Sequence, residues 1–387
     1  MDYDVHASMP SLEEEILTHL STNGPSTRTD LCEALSVSRT TLGRAVNQLI
    51  REHAVMAIDD GASKTRGAGR PSQALMLAHS CAYAVGIIVA RSTCSAVLVN
   101  RGGEVLSSIL ESVSDPNDLL STLKTVSASL ASHAHERGII TRHIRSIGVG
   151  VPIPMGSNLS HTPDSSFPSH EEITATIAQT WQGQVVVDTT ARLSALSESL
   201  WGAAQGVSSV LYVRLSHGIG ASLIFSYRLS GGNVGFAAEF GHIRVPNATA
   251  PCTCGKTGCL ETIASVPALC EQAGVEDLTK LSHAVARSHS PARTILTQAM
   301  EAVGACCANA ALLVNPSSVV IAGELPEAIP EVTQMIARGL NAELIPALNW
   351  HIDVVGAKLG PLHAAQAAAY AATTASAVGR NTNRSSR

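Results

Sequence analysis

Apolar positions in the first fifty residues recur at helical spacing. Leu12, Ile16, Leu17 and Leu20 line one face of a helix that Asn23, Gly24 and Pro25 bring to a stop. A second, shorter helix turns Leu31, Ala34 and Leu35 inward and can be capped by Thr27 or Thr29. After a break at Ser36 and Val37, Ser38 has the chemistry of an N-cap for a third helix, whose buried stripe is Leu42, Val46, Leu49 and Ile50. Arg39, Thr40, Arg44, Gln48 and Arg51 fall largely on its other face. Two short strands follow, residues 53–58 and 73–77, on either side of a glycine-rich loop.

Beyond residue 79 the pattern changes to apolar strands. Residues 83–89 and 94–100 read as two strands joined by a polar turn, and Arg101, Gly102 and Gly103 turn the chain into a third. A long helix is expected over 115–137, then a buried strand over 144–151 that ends in a Pro-rich loop. The same strand-turn-strand plan recurs at 210–230, which implies two similar lobes. Residues 191–204 form an amphipathic helix between the repeats. Residues 315–323 read as a buried strand with a glycine turn, and an Ala-rich helix over 360–377 is expected to pack back on the first lobe. The tail after 380 is expected to be disordered.

Composition narrows the class. Of 387 residues, 45% are apolar, only 3% aromatic and 15% charged, so the chain is globular with cores of Ala, Val, Leu and Ile, and long enough for two or three domains. The net charge of −5 argues against a generally basic coat for nucleic acid. No basic-then-apolar leader opens the chain and no uninterrupted apolar stretch of spanning length is read, so a cytoplasmic location without membrane contact is expected. Six of the nine cysteines are scattered among apolar neighbours and read as reduced core residues.

The three N-terminal helices and the two strands have the order of a winged helix-turn-helix. The third helix would enter the major groove of double-stranded DNA, presenting Ser38, Arg39, Thr40, Thr41 and Arg44. Lys64, Arg66 and Arg70 on the loop between the strands would reach the minor groove. Seven basic residues against five acids between Arg28 and Arg70 do not decide the matter electrostatically. The plainer alternative is a protein-interaction module with a solvated charged face.

The densest chemistry lies between Glu239 and Glu261. His242, Cys252, Cys254 and Cys259 stand in the spacing His-x9-Cys-x-Cys-x4-Cys, with Gly255 and Gly258 inside the loop. Three thiolates and one imidazole fill a tetrahedral zinc shell and leave no place for a reactive water, so the zinc would be structural. Three unrelated buried cysteines beside a histidine are the alternative.

Glu-x-Gly-His at 239–242, Cys-x-Cys-Gly-x-x-Gly-Cys-x-Glu at 252–261 and the Asn-Pro strand start at Asn315 together resemble the ROK family (repressor, open reading frame, kinase) over about residues 79–375. The resemblance implies an α/β, actin-like, two-lobed body of duplicated ribonuclease H-like units, with the winged helix-turn-helix at 1–78 added in front. The body would run over 79–380, its small lobe at about 79–187 plus the C-terminal helix, and its large lobe at about 188–360. It also implies zinc on His242, Cys252, Cys254 and Cys259, and a sugar held by Glu239, Glu261 and the neighbourhood of His242, with Thr189 and Thr190 in place of the family's Asn-Asp.

That replacement matters for chemistry. The family's kinase aspartate takes the proton of the attacking sugar hydroxyl, and Thr190 cannot. The phosphate turn, Asp-x-Gly-Gly-Thr in the kinases, reads here Ile88-Val89-Ala90-Arg91-Ser92. The resemblance thus implies a non-enzymatic transcription regulator, a repressor, that responds to a sugar or sugar phosphate and binds its operator as a homodimer or homotetramer. Arg91 and Arg192 are candidate counter-charges for an acidic effector. The alternatives are a zinc-containing ROK sugar kinase with an appended DNA-binding module and a body that only drives oligomerisation.

Overall fold

The computed structural model describes residues 3–4, 11–23, 25–51, 54–59, 73–77, 83–113, 115, 117–152, 168–233, 235–287, 289–346 and 351–382. The chain forms two compact units. The first takes in Ala7–Val151, His170–Val187 and Ala365–Arg387, and the second Met1–His6, Pro152–Ser169 and Asp188–Ala364.

The first unit opens with α1 (Leu12–Asn23), the two-residue strand β2 (Ser26–Thr27; β1, Tyr3–Asp4, belongs to the second unit), α2 (Arg28–Ala34) and α3 (Arg39–Arg51). The strands β3 (Val55–Asp59) and β4 (Gln73–Leu77) then pair antiparallel, and β2 joins the far side of β4. The periodicity read from sequence sets the core: Ile16, Leu17, Leu20, Leu31, Leu42, Val46 and Leu49 are buried against Val55, Leu75 and Leu77. Of the two cap candidates for α2, Thr27 takes the role. Its hydroxyl accepts from the Asp30 amide at 3.2 Å while the Asp30 carboxylate accepts from the Thr27 amide at 2.8 Å. Ser38 caps the α3 start, its Oγ accepting from the Thr41 amide at 3.1 Å.

The same unit holds a five-stranded sheet in the order β7-β6-β5-β8-β9, from β5 (Tyr83–Val89), β6 (Thr93–Asn100), β7 (Val105–Ser112), β8 (Ser146–Val151) and β9 (Gln184–Thr189). Strands β5 to β7 form an antiparallel meander, and β8 lies parallel to β5. Between them run α4 (Leu119–Glu136) and α5 (His170–Ala178). Helix α4 starts later than expected because Asp118 caps it, accepting from the Ser121 amide. A short 3-10 turn over Thr141–His143 likewise delays the start of β8 to Ser146.

Helix α13 (Pro361–Thr382) covers this sheet with its backbone almost in contact. A Cβ on Gly86 would come within 1.8 Å of the Ala365 carbonyl oxygen, and one on Gly148 within 1.9 Å of that of Ala368. Glycine on the sheet and alanine on the helix are therefore one device. The expected return of this helix to the first sheet is observed. Residues 379–382, expected in or next to a disordered tail, are instead the last helical turn, and 383–387 lie outside the described residues.

The second unit repeats the plan. Its sheet runs β1-β12-β11-β10-β13-β14, from β1 (Tyr3–Asp4), β10 (Ser209–Leu215), β11 (Ile219–Phe225), β12 (Arg228–Ser230), β13 (Ser318–Ala322) and β14 (Asp353–Gly356). Again an antiparallel meander is followed by a strand parallel to its first member. The unit holds α6 (Thr190–Trp201), α7 (Glu261–Ala264), α8 (Val266–Ala273), α9 (Leu278–Ala286), α10 (Pro291–Val314), α11 (Glu324–Ala328) and α12 (Val332–Glu343). The core gathers Leu211, Val213, Leu296, Met300, Val303, Cys307, Ile321, Ile336 and Leu340.

Two features here were not expected. Helix α10 has the length and composition of a membrane span, yet much of it is buried in this core. The N-terminal residues Tyr3 and Asp4 pair antiparallel with Leu229 and Arg228 at the sheet edge.

Candidate metal centre and ligand site

The outer face of α3 carries the residues expected to meet DNA. Arg39, Thr40, Thr41 and Arg44 are exposed, while the stripe beneath them is buried. Ser38 and Thr41 also bond to each other, their hydroxyl oxygens 2.8 Å apart, so part of their polarity serves the helix start. Arg28 at the start of α2 donates to the Asn47 side-chain oxygen at 3.2 Å, which adds a cation to this surface that was not singled out in the sequence. Lys64, Arg66 and Arg70 lie outside the described residues.

In the second unit the chain between β12 and α7 folds into a loop stitched by its own backbone. The Cys252 amide bonds the Lys256 carbonyl at 2.8 Å, Gly258 bonds Ala250 at 2.9 Å, and Val245 bonds back to Gly258 at 2.8 Å. Gly258 has φ +72°, and a Cβ there would lie 2.2 Å from the Ala248 carbonyl oxygen. The loop can close only with glycine at that point. Lys256 donates through Nζ to the His242 carbonyl at 2.8 Å and fastens the loop to the turn that carries the histidine.

This folding brings four ligand atoms together. His242, Cys252, Cys254 and Cys259 each offer one atom, and all lie within 4.8 Å of one another. The Sγ atoms of Cys254 and Cys259 are 3.7 Å apart, and Cys252 Sγ is 3.6 Å from His242 Nδ1. A tetrahedron with zinc–sulfur bonds of about 2.3 Å has sulfur–sulfur edges of about 3.8 Å. The donor set and its spacing therefore suit one tetrahedral cation. Burial pushes the Cys259 thiol up to about 12, with the neighbouring sulfurs adding to the effect. Cys254 goes the other way: against the desolvation that raises it, the Lys256 amide, the adjacent thiols and the Lys256 ammonium hold it below its usual value.

The residues expected to hold a ligand converge on the β10–β11 turn, Ser216 to Gly220. Glu261, at the start of α7, accepts from the Ile219 amide through Oε2 at 2.8 Å. The Glu239–His242 turn rests on the same residue: a Cβ on Gly241 would lie 2.4 Å from the Ile219 carbonyl oxygen. The first turn of α6 packs beside them, since a Cβ on Gly220 would be 3.0 Å from the Ala191 methyl. One short turn thus gathers Glu239, His242, Glu261 and the Thr189–Thr190 junction. Desolvation raises the Glu239 carboxyl above its ordinary range; the nearby His242 opposes this and the Glu261 charge adds to it. Two carboxyl groups beside this Cys/His cluster offer several acceptors to a hydroxylated ligand.

Thr189 spends its hydroxyl as the N-cap of α6, accepting from the Arg192 amide at 3.2 Å, and Thr190 is buried. Arg192 is not a counter-charge waiting for an acidic effector. Its Nε lies 2.8 Å from the Asp188 carboxylate and its Nη1 donates to the Ser230 carbonyl at 2.7 Å, with both side chains buried. Asp188 also accepts from the Thr189 amide at 2.7 Å. This pair was missed in the sequence because the four-residue spacing straddles a strand end and a helix start. Arg91 belongs to the β5–β6 turn of the first unit.

The chain is similar to known proteins along most of its length. The chain is 24% identical over 360 residues to the xylose repressor of Bacillus spizizenii, covering 89% of this chain and 90% of that protein. A solved ROK family transcriptional regulator, a homolog of the E. coli MLC protein, superimposes with a TM-score of 0.67 at 21% identity over 92% of this chain and 94% of its own. A ROK glucokinase from Streptomyces griseus, solved with glucose and AMPPNP, gives a TM-score of 0.64 at 25% identity over 76% of this chain and 99% of its own. The fold is thus the actin-like fold that these regulators and kinases share. The ROK family profile matches residues 84–375, the whole duplicated body, and the chain belongs to the ROK family.

Proposed function

We propose that this protein is a DNA-binding transcription regulator, a repressor, whose ROK body responds to a sugar or sugar derivative without phosphorylating it. The observation that carries the reading is the polar face of α3 in a winged helix that stands ahead of the family match, which begins at residue 84. Support comes from the xylose repressor, which is similar over 89% of this chain and 90% of its own length, more than the family match alone spans. Arg39, Thr40 and Arg44 contact bases or phosphates, and Ser38 and Thr41 fix the helix start. Lys64, Arg66 and Arg70 complete the contact from the wing.

In the body, His242, Cys252, Cys254 and Cys259 hold a structural zinc ion that keeps Glu239 and Glu261 in place for the effector, with Thr189 and Thr190 nearby. The domains are the winged helix at 1–78 and the sensor body at 79–380. A homodimer or homotetramer in the cytoplasm reads a pseudo-palindromic operator.

The similarity to a glucokinase favours a sugar kinase as the second reading. Thr190 offers no carboxylate to act as general base, which weighs against it. The test is a gel shift on DNA from upstream of the protein's own gene, repeated with a panel of pentoses, hexoses and N-acetylhexosamines. A specific complex that a sugar alters supports the regulator. ATP-dependent turnover of any of these sugars in a coupled assay supports the kinase instead.

A further inference from the structure

Three glycines stand well inside helices among the described residues, Gly43 in α3, Gly304 in α10 and Gly339 in α12; a fourth, Gly379, lies in the last turn of α13. Glycine is among the poorest helix formers, so each calls for a reason. For two of them the protein supplies it. Helices α10 and α12 cross so closely that a Cβ on Gly304 would meet the Ile336 carbonyl oxygen and the Leu340 nitrogen at 2.6 Å, and one on Gly339 would meet the Glu301 carbonyl oxygen at 2.9 Å.

Gly43 has no such neighbour. The nearest atom a Cβ would meet is the Arg28 guanidinium, at an ordinary 4.0 Å, and no positive φ is needed there. Alanine would fit the free protein and make a better helix. What surrounds Gly43 is also particular. Arg39 and Thr40 lie one turn before it and Asn47 one turn after it, all exposed, and exposed Arg28 reaches over from α2. Gly43 is thus a gap in the side-chain layer, rimmed by two arginines, a threonine and an amide.

We propose that Gly43 is the point of closest approach between α3 and the sugar-phosphate backbone of DNA. The proposal rests on the DNA-binding reading above. Arg28 keeps donors in excess of its bond to Asn47, and with Arg39 it draws a phosphate to the rim. The missing side chain lets that phosphate and its sugar settle against the helix backbone. The contact positions the helix in the groove and is indifferent to base identity.

The test uses the full chain and two labelled duplexes of equal length: the region upstream of its own gene and a scrambled sequence. Gly43→Ala is expected to melt at or above the wild-type temperature, since alanine favours the helix. Its affinity for both duplexes is expected to fall by a similar factor, about tenfold or more, with the slope of log affinity against log salt shallower by about one. Gly43→Gln should weaken both further. Unchanged affinity in Gly43→Ala overturns the proposal while leaving the DNA reading intact. So does a loss confined to the upstream duplex, which would place a base edge at Gly43. A melting temperature below wild type overturns it too, because the glycine would then serve the fold. If the wild-type protein binds neither duplex, the DNA reading itself falls and takes this proposal with it.

Discussion

Glu261 ties the start of α7 to the β10–β11 turn by accepting a 2.8 Å hydrogen bond from the Ile219 amide. The proposed function gives the same carboxylate to the effector, and on that proposal it would position and bind at once. Glu261→Gln keeps an acceptor for Ile219 and should leave the melting temperature near wild type while weakening sugar binding about tenfold or more. Glu261→Ala removes the anchor as well and should cost about 1 to 2 kcal/mol of stability. Calorimetric titration with the active sugar, run beside thermal melts, separates the two effects.

The metal site predicts about one zinc ion per chain in the purified protein, measured by elemental analysis. Because thiolates bind the metal, zinc retention should fall as pH is lowered and protons compete. Cys254→Ser should lose zinc and the sugar response while the winged helix stays folded, as judged by retained operator binding. A zinc-free variant that keeps its full sugar response would break the proposed link between metal and effector.

The buried pair of Asp188 and Arg192 makes a sharper stability prediction. Asp188→Ala leaves a guanidinium buried with its partner gone and should cost about 3 to 5 kcal/mol in denaturant unfolding. Replacing both residues with apolar side chains of similar volume should recover most of that loss. A double-mutant cycle measures the coupling.

Asp30 gives the pH dependence of the winged helix. Hydrogen bonds from the Thr27 amide and hydroxyl, set against slight desolvation and aided by His19, hold its carboxyl below the usual range. Its contribution is therefore present above the unfolded value of about 3.9 and is lost as pH falls through the lower folded value. Asp30→Ala should destabilise the N-terminal module by about 1 kcal/mol at neutral pH. The difference from wild type should vanish in strongly acidic buffer, read by the circular dichroism melt.

Much of this was legible in the sequence where chemistry forces a spacing. The metal loop is the clearest case, since four ligands and two glycines cannot be rearranged without losing the site. The stripe of Leu42, Val46 and Leu49 was legible because helical burial is periodic. The pairing of Tyr3 with Leu229 was not, because two residues carry no pattern and their partner is far along the chain. The role of Arg192 was hidden for another reason: its direction depends on α6 starting at Thr190, and a shift of one residue would turn the guanidinium elsewhere.

The contact of Gly86 and Gly148 with α13 bears on how the molecule is made. The strands carrying these glycines leave the ribosome early, yet the helix that must lie on them begins at Pro361, after the core of the second unit has been synthesised. Until then one face of the five-stranded sheet lacks its cover. The body sheet translated earliest is thus completed by the last helix of the chain to be made.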